Sequence, residues 1–264
     1  MPLIIWNQDP ILFRLGAISV HWYGLFFATG LVIGLWMMKK IFIHEKRDLS
    51  ILDPLFIYIV IGIVIGARLA HCLFYEPSYY IENPLEIFAI WHGGLASHGG
   101  IAGAVAATWI FCRKKGVEFL WIFSRLMIPA LLLASFIRVG NLFNSEILGR
   151  ATGGDWGFVF VRIDTIPRHP VMIYESAGYF LLFVLILFLY TKLSEKEFTR
   201  FVPGIALTGI FAIRIILEEF KTKQTDFMID LPISMGQILS IPFLLAGLYL
   251  LGHAILYKNR DSTQ

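Results

Sequence analysis

The sequence predicts an all-α, polytopic membrane protein with seven transmembrane helices, and three observations carry that prediction. First, 57% of the 264 residues are hydrophobic, 16% are charged and the mean hydropathy is +0.71. Soluble domains run at roughly 45–50% apolar and about 25% charged. Second, apolar stretches near the ~20 residues that a spanning helix needs recur along the whole chain. Third, Lys and Arg are rich in every other loop, as the positive-inside rule requires of a multi-pass protein. The same composition excludes a soluble enzyme, a disordered chain and a nucleic-acid binder. The net charge of +3 is small, and its distribution says more than its sum.

The stretches fall at 19–42, 54–75, 95–112, 119–142, 171–193, 201–220 and 235–257. The third is the least apolar and opens with Gly99, Gly100 and Gly103. Glycine in membrane helices lets backbones pack closely. The loops after the first, third and fifth stretches hold Lys39, Lys40, Lys46 and Arg47, then Arg113, Lys114 and Lys115, then Lys192, Lys196 and Arg200. The tail adds Lys258 and Arg260. The opposite side is half as basic, which puts the N-terminus outside and the C-terminus in the cytoplasm. The start lacks a basic n-region, so no removable signal peptide is expected. One membrane domain, 1–264, is expected, with an outer-side insert at about 143–170. Within it, residues 155–164 alternate enough for a short strand or hairpin. On this topology Cys72 lies near the outer end of the second stretch and Cys112 near the inner end of the third, so both are expected to be buried and unpaired.

Charged side chains in a bilayer cost several kcal/mol and tend to mark function. On this topology Arg68, Arg138 and Arg214 lie in the outer half, with Tyr23, His98, Asn141, Asn144, Glu146 and Glu175 near the same level. Glu218 follows Arg214 by four and shares its helix face. Arg125 lies near the inner end and is expected to snorkel to the cytoplasm. Each group has a structural alternative. Arg214 and Glu218 also read as an ion pair, Arg68 as an arm to the headgroups, Tyr23 as an aromatic-belt residue and His98 as a packed histidine. His71 and His92 read as interfacial, and no carboxylate or thiol at matching spacing makes a metal site with them. Arginines facing one outer cavity suit an anionic headgroup, because guanidinium binds phosphate through paired donors. The residues alone therefore point to a phospholipid ligand in the outer leaflet and leave the reaction open.

At these residues the chain resembles the prolipoprotein diacylglyceryl transferase family, over nearly its whole length. The motifs are His-Trp-Tyr-Gly at 21–24, Gly-Ala-Arg-Leu at 66–69, the segment 91–100 carrying His98, and Arg138 through Gly149 with Gly140, Asn141, Asn144 and Glu146 between. Arg-His-Pro at 168–170 with Tyr174 and Glu175, the run 211–218 and the run 233–242 complete them. Two positions depart from the pattern: Ile137 stands where glycine is usual, and Ser124 where an acidic residue is common.

The resemblance implies a transferase of the bacterial cell inner membrane, acting in lipoprotein biosynthesis with its active site toward the outer leaflet. It implies transfer of diacylglyceryl from phosphatidylglycerol to the lipobox cysteine of prolipoprotein signal peptides. It implies His98, Arg138 and Arg214 as catalytic residues, and Tyr23, Arg68, Asn141, Glu146, Gly149 and Glu218 as substrate-binding residues, with no metal and no cofactor. In that scheme His98 takes the thiol proton, the arginines hold the phosphate and Glu146 and Glu218 orient them. Two rival classes stand beside it. A transporter or flippase for an anionic lipid predicts an inner cluster equal to the outer one, whereas the inner half carries only Arg125. An intramembrane serine protease would use Ser97, whose adjacency to His98 does not by itself make a nucleophile–base pair.

Overall fold

The structure, a computed structural model, describes residues 3–16, 18–90, 93–222 and 234–261. The long helices are α1 (Trp22–His44), α2 (Leu52–Phe74), α4 (Ser97–Lys115), α5 (Phe119–Asn144), α6 (Val171–Lys192), α7 (Glu195–Glu218) and α8 (Met235–Asp261), with a short α3 (Pro77–Glu82) after α2. In hydrocarbon a helix satisfies its own backbone groups, so the apolar stretches become helices. Among the described residues, six segments are long and apolar enough to cross a membrane: Trp22–His44, Leu49–Phe74, Phe119–Asn144, Val171–Lys192, Glu195–Glu218 and Gly236–Lys258. The predicted third stretch forms as α4 but stands outside that set. Its glycines, His98 and its basic last turn, Arg113 to Lys115, lower its hydropathy.

The prediction of an all-α chain is incomplete. Strands β1 (Leu3–Trp6), β4 (Gly157–Phe160) and β5 (Pro167–Arg168) form one sheet in the order β1-β4-β5, and β2 (Ile11–Leu15) pairs with β3 (Ile18–His21) in a hairpin. The strand expected within 155–164 is β4, antiparallel to β5. The N-terminal strands were not predicted. Leu3 to Trp6 is a continuous apolar run without alternation, and β1 pairs in parallel with β4 from far along the chain.

The chain divides into two compact units, Met38–Phe123 and Met1–Met37 with Ser124–Gln264. In the first, α2 and α4 meet through backbone. A Cβ on Gly66 would lie 2.3 Å from the Gly99 carbonyl oxygen, and one on Gly103 would lie 2.0 Å from that of Gly62. Only glycine permits that approach. Cys72 and Cys112 are both buried and free.

In the second unit the head sheet packs where α5 ends and α6 begins. Leu142, Phe160 and Met172 form a buried cluster with Trp6 against it, and the Trp6 indole donates to the Leu142 carbonyl at 3.1 Å. On α7, Ser194 and Glu197 form a capping box, which satisfies orphan N-terminal donors reciprocally. Arg125 does not snorkel as predicted. It is fully buried, donates to the Ser124 hydroxyl at 2.8 Å and to Thr199, and lies over the Phe198 ring. A guanidinium surrounded by acceptors has no need to reach water.

The helix interlock makes a prediction. Gly103→Val should overpack α2 against α4 and cost about 1–3 kcal/mol or more. Gly252→Ala, at an open position inside α8, should keep or slightly raise stability, since alanine favours a helix over glycine by about 1 kcal/mol. Thermal unfolding of the purified variants in detergent measures both.

Candidate active site

The polar groups of the second unit collect where α5 ends. Arg138 donates from Nη1 to Asn141 Oδ1 at 3.0 Å, and its Nε lies 3.0 Å from Glu175 Oε2. Asn141 donates to Glu146 Oε2 at 2.9 Å and Asn144 to Glu146 Oε1 at 3.1 Å. Glu146 thus steers Arg138 through Asn141. Its position is fixed by strained backbone: Ser145 and Ile147 on either side have φ of 54° and 57°. A β-branched residue in the left-handed region is a genuine outlier, of a kind that clusters at functional sites. Gly140 makes room for Tyr23, since a Cβ there would lie 2.7 Å from the Tyr23 ring. Glu146 and Arg138 both act electrostatically on the Tyr23 hydroxyl.

Glu175 is the centre of this arrangement. It is fully buried on α6, with Arg138 on one oxygen and Lys221 Nζ at 2.9 Å on the other. These are ion pairs at close range, not aligned hydrogen bonds. Lys221 also donates to Glu218 Oε2 at 3.0 Å. Glu218 in turn lies against the first turn of α8, where a Cβ on Gly236 would be 2.4 Å from its Oε1. Ser234 and Gln237 cap that turn reciprocally, and Gln237 donates to the Ile215 carbonyl at 3.2 Å. On α7, Arg214 has a buried Nε without a hydrogen-bond partner among the described residues. Buried Tyr179 is within hydrogen-bonding reach of it and feels Glu175 and Arg138 as well.

The loop after α5 is laced to its neighbours. Arg150 donates its N–H to Phe220 O at 2.8 Å, Thr222 to Leu148 O at 3.1 Å and His169 to Arg150 O at 3.0 Å. Gly149 sits where a Cβ would meet His169 O at 2.1 Å. Arg168 joins the loop by donating to Gly149 O at 3.2 Å and pairing with Asp164 at 2.5 Å. That guanidinium holds the Asp164 carboxyl below its ordinary range. His169, Trp156, Tyr174 and Phe220 line a cavity of about 410 Å³. Burial, then the Arg150 charge, lowers the His169 pKa. A second cavity, about 310 Å³, lies between α5 and α6 with Arg138 in its wall.

In the other unit, His98 is the second residue of α4, half-buried beside the Gly66–Gly99 contact. Arg68 is buried, and four backbone carbonyls occupy it: Ile87 at 2.9 Å, Gly93 at 2.6 Å, Gly94 at 3.2 Å and Glu86 at 2.5 Å. It organises the segment that leads to α4. His71 lies 3.9 Å from Glu76. Trp91, His92 and Ile233 of the motifs lie outside the described residues.

A family model described as prolipoprotein diacylglyceryl transferase matches residues 10–253. The chain belongs to the prolipoprotein diacylglyceryl transferase family. Relatives named phosphatidylglycerol–prolipoprotein diacylglyceryl transferase include one from Tolumonas auensis, 52% identical over 94% of this chain and 96% of its own. Another, from Chloroherpeton thalassium, is 45% identical over 98% and 97%. A third, from Porphyromonas gingivalis, is 43% identical over 96% and 95%. The transporter reading is left without support.

For a diacylglyceryl transferase the corrections concern partners. Arg138 takes Glu175 as its direct carboxylate, while Glu146 reaches it only through Asn141. Glu218 pairs with Lys221, not Arg214. Sequence reasoning grouped Glu175 with Arg138 but gave it no role, and it missed Lys221 and Tyr179. Lys221 follows Glu218 by three, and that spacing was the available signal.

Removing the shared carboxylate should be costly. Glu175→Gln leaves Arg138 and Lys221 without it, and breaking a buried ion pair from one side costs about 3–5 kcal/mol. Thermal unfolding of Glu175→Gln should show that loss, with Glu197→Gln, whose carboxylate meets Lys258 at the exposed end of α7, close to wild type.

Proposed function

We propose that the chain transfers the diacylglyceryl group of phosphatidylglycerol to the lipobox cysteine of a prolipoprotein signal peptide, at a site opening to the outer leaflet of the bacterial inner membrane. Seven spans with the N-terminus outside, α4 being the seventh, fit the alternation of basic loops. The observation that carries the reading is Arg138. Glu175 holds its Nε and Asn141 its Nη1, so its remaining donor edge is aimed before any ligand arrives.

The chemistry follows from charge. The cysteine sulfur forms a bond to the terminal glyceryl carbon of the diacylglyceryl group, and that carbon's bond to the phosphate oxygen breaks with its electron pair. Glycerol phosphate leaves. Negative charge grows on the departing oxygen, where fixed donors are worth most because they need no reorganisation. Arg138 and Arg214 supply them, and the unpartnered Nε of Arg214 supports its share. Tyr23 and Asn141 hydrogen-bond the headgroup. A free thiol is mostly protonated at neutral pH, and His98 accepts its proton. Arg68 and Gly149 act by shaping the loops that hold these groups, since their own surroundings are filled by backbone.

The test is incubation of the purified protein with phosphatidylglycerol and a lipobox peptide, read by mass spectrometry as the thioether product. Absence of product with every phosphatidylglycerol donor overturns the reading. Arg138→Lys keeps the charge but loses the planar fork, so product formation should still fall steeply. His98→Asn should keep lipid binding and lose roughly 10²–10⁴-fold in rate, as expected for a missing general base. In wild type the rate should drop as acid protonates the imidazole, which then cannot accept a proton. Near-normal product from His98→Asn would remove that role.

A further inference from the structure

The cavity between α5 and α6 carries an inference of its own. Its walls are Phe136, Val139 and Leu142 from α5, and Met172, Ile173, Ala177 and Phe180 from α6. These positions follow the three-and-four spacing of one face on each helix. Among the described residues, Arg138 is the one charge in the wall. The two serines in it, Ser135 and Ser176, satisfy each other. Ser135 Oγ donates to Ser176 O at 3.0 Å, and Ser176 Oγ donates to Ser135 O at 3.1 Å. This clasp lies about 4.5 Å along α5 from Arg138, at 1.5 Å per residue. Phe180 is 45% exposed at the lip, whereas Leu142 and Met172 are buried at the back.

We propose that this cleft seats one acyl chain of the anionic phospholipid donor, and that Ala177 and the Ser135–Ser176 clasp set the chain length it accepts. The proposal rests on the transferase reading above. An extended peptide is a poor occupant, because its N–H and C=O groups would face carbon walls with no partner, and a helix, about 10–12 Å across, is too wide for a cavity of about 310 Å³. An uncharged hydrocarbon would make no use of Arg138 in the wall. A phospholipid uses both parts at once, with phosphate at the guanidinium and carbon chain in the cleft. The size also fits. A methylene occupies about the volume of a water, whose liquid share is about 30 Å³. The cavity of about 310 Å³ therefore takes on the order of ten methylenes.

The experiment compares donors that differ only in chain length. Purified full-length protein is given a lipobox peptide and phosphatidylglycerol with dilauroyl, dimyristoyl, dipalmitoyl or distearoyl chains. Ala177→Phe fills the cleft without touching Arg138. It should lower kcat/KM for the distearoyl donor roughly tenfold or more relative to the dilauroyl donor, since a misfit of one methylene is worth about that much. Ala177→Val should shift the same ratio in the same direction by less. An unchanged profile in an active Ala177→Phe overturns the subsite and leaves the transferase reading intact. If Ala177→Phe is inactive on every donor, Ala177→Val decides: a graded shift supports the subsite, and a wild-type profile overturns it. A wild-type protein inactive on all donors would instead overturn the transferase reading.

Discussion

The buried carboxylate of Glu175 is the interaction on which the polar centre depends. It sits on α6, accepts a cation from α5 through Arg138 and another from the turn after α7 through Lys221. Three elements of an otherwise apolar bundle are thereby tied at one level. Charges of either sign would be expensive there alone, and burying the pair yields little net stability after desolvation. What the arrangement supplies is orientation. A guanidinium with Nε and one Nη committed presents a defined edge, whereas a lysine at the same place would present a mobile point charge.

In the other unit backbone contact, not charge, does the positioning. Gly62, Gly66, Gly99 and Gly103 bring α2 and α4 so close that any side chain would collide with a carbonyl. Membrane helices gain nothing from hydrophobic association in lipid, so close packing is what holds such a pair together. His98 begins α4 beside this contact. Arg68 completes the support by gathering the carbonyls of Glu86, Ile87, Gly93 and Gly94. Glu86 and Ile87 belong to the turn Pro84–Phe88, where the Glu86 oxygen also accepts from the Ala89 N–H at 3.0 Å, and carbonyl oxygens away from water need donors. Arg68 provides one at each of the four.

Much of this was legible in the sequence, and the parts that were not share a cause. Apolar length, basic loops and glycine spacing are local signals. They located most helix ends to within a few residues, although α7 begins six residues before the expected 201, and they grouped Arg138 with Asn141, Glu146 and Glu175, which the structure brings together. Pairing across the bundle is not local. Arg214 and Glu218, four apart, read as a natural pair, yet Glu218 pairs with Lys221, which is held there by Glu175, far back along the chain on α6. Arg125 read as a snorkelling residue because its acceptors Thr199 and Ser124 are neutral and one of them lies far along the chain. The β1–β4 pairing escaped for the same reason. The α4 helix was weak in hydropathy for a reason the structure supplies: its small residues serve helix contact.

The site also shows where the fold accepts local cost. Ser145 and Ile147 adopt left-handed backbone at about 1–3 kcal/mol each, and they do so on either side of Glu146. A relaxed turn would let Glu146 drift from Asn141, and Asn141 would then lose the contact that helps to fix Arg138. The chain of contacts runs from strained backbone to carboxylate, amide and guanidinium, each step within 3.0 Å. Preorganised donors lower a barrier because no dipole has to turn as charge develops. Strain held in the loop and charge held by Glu175 therefore serve one end. Between them they hold Arg138 at the point where the apolar wall between α5 and α6 meets the polar head.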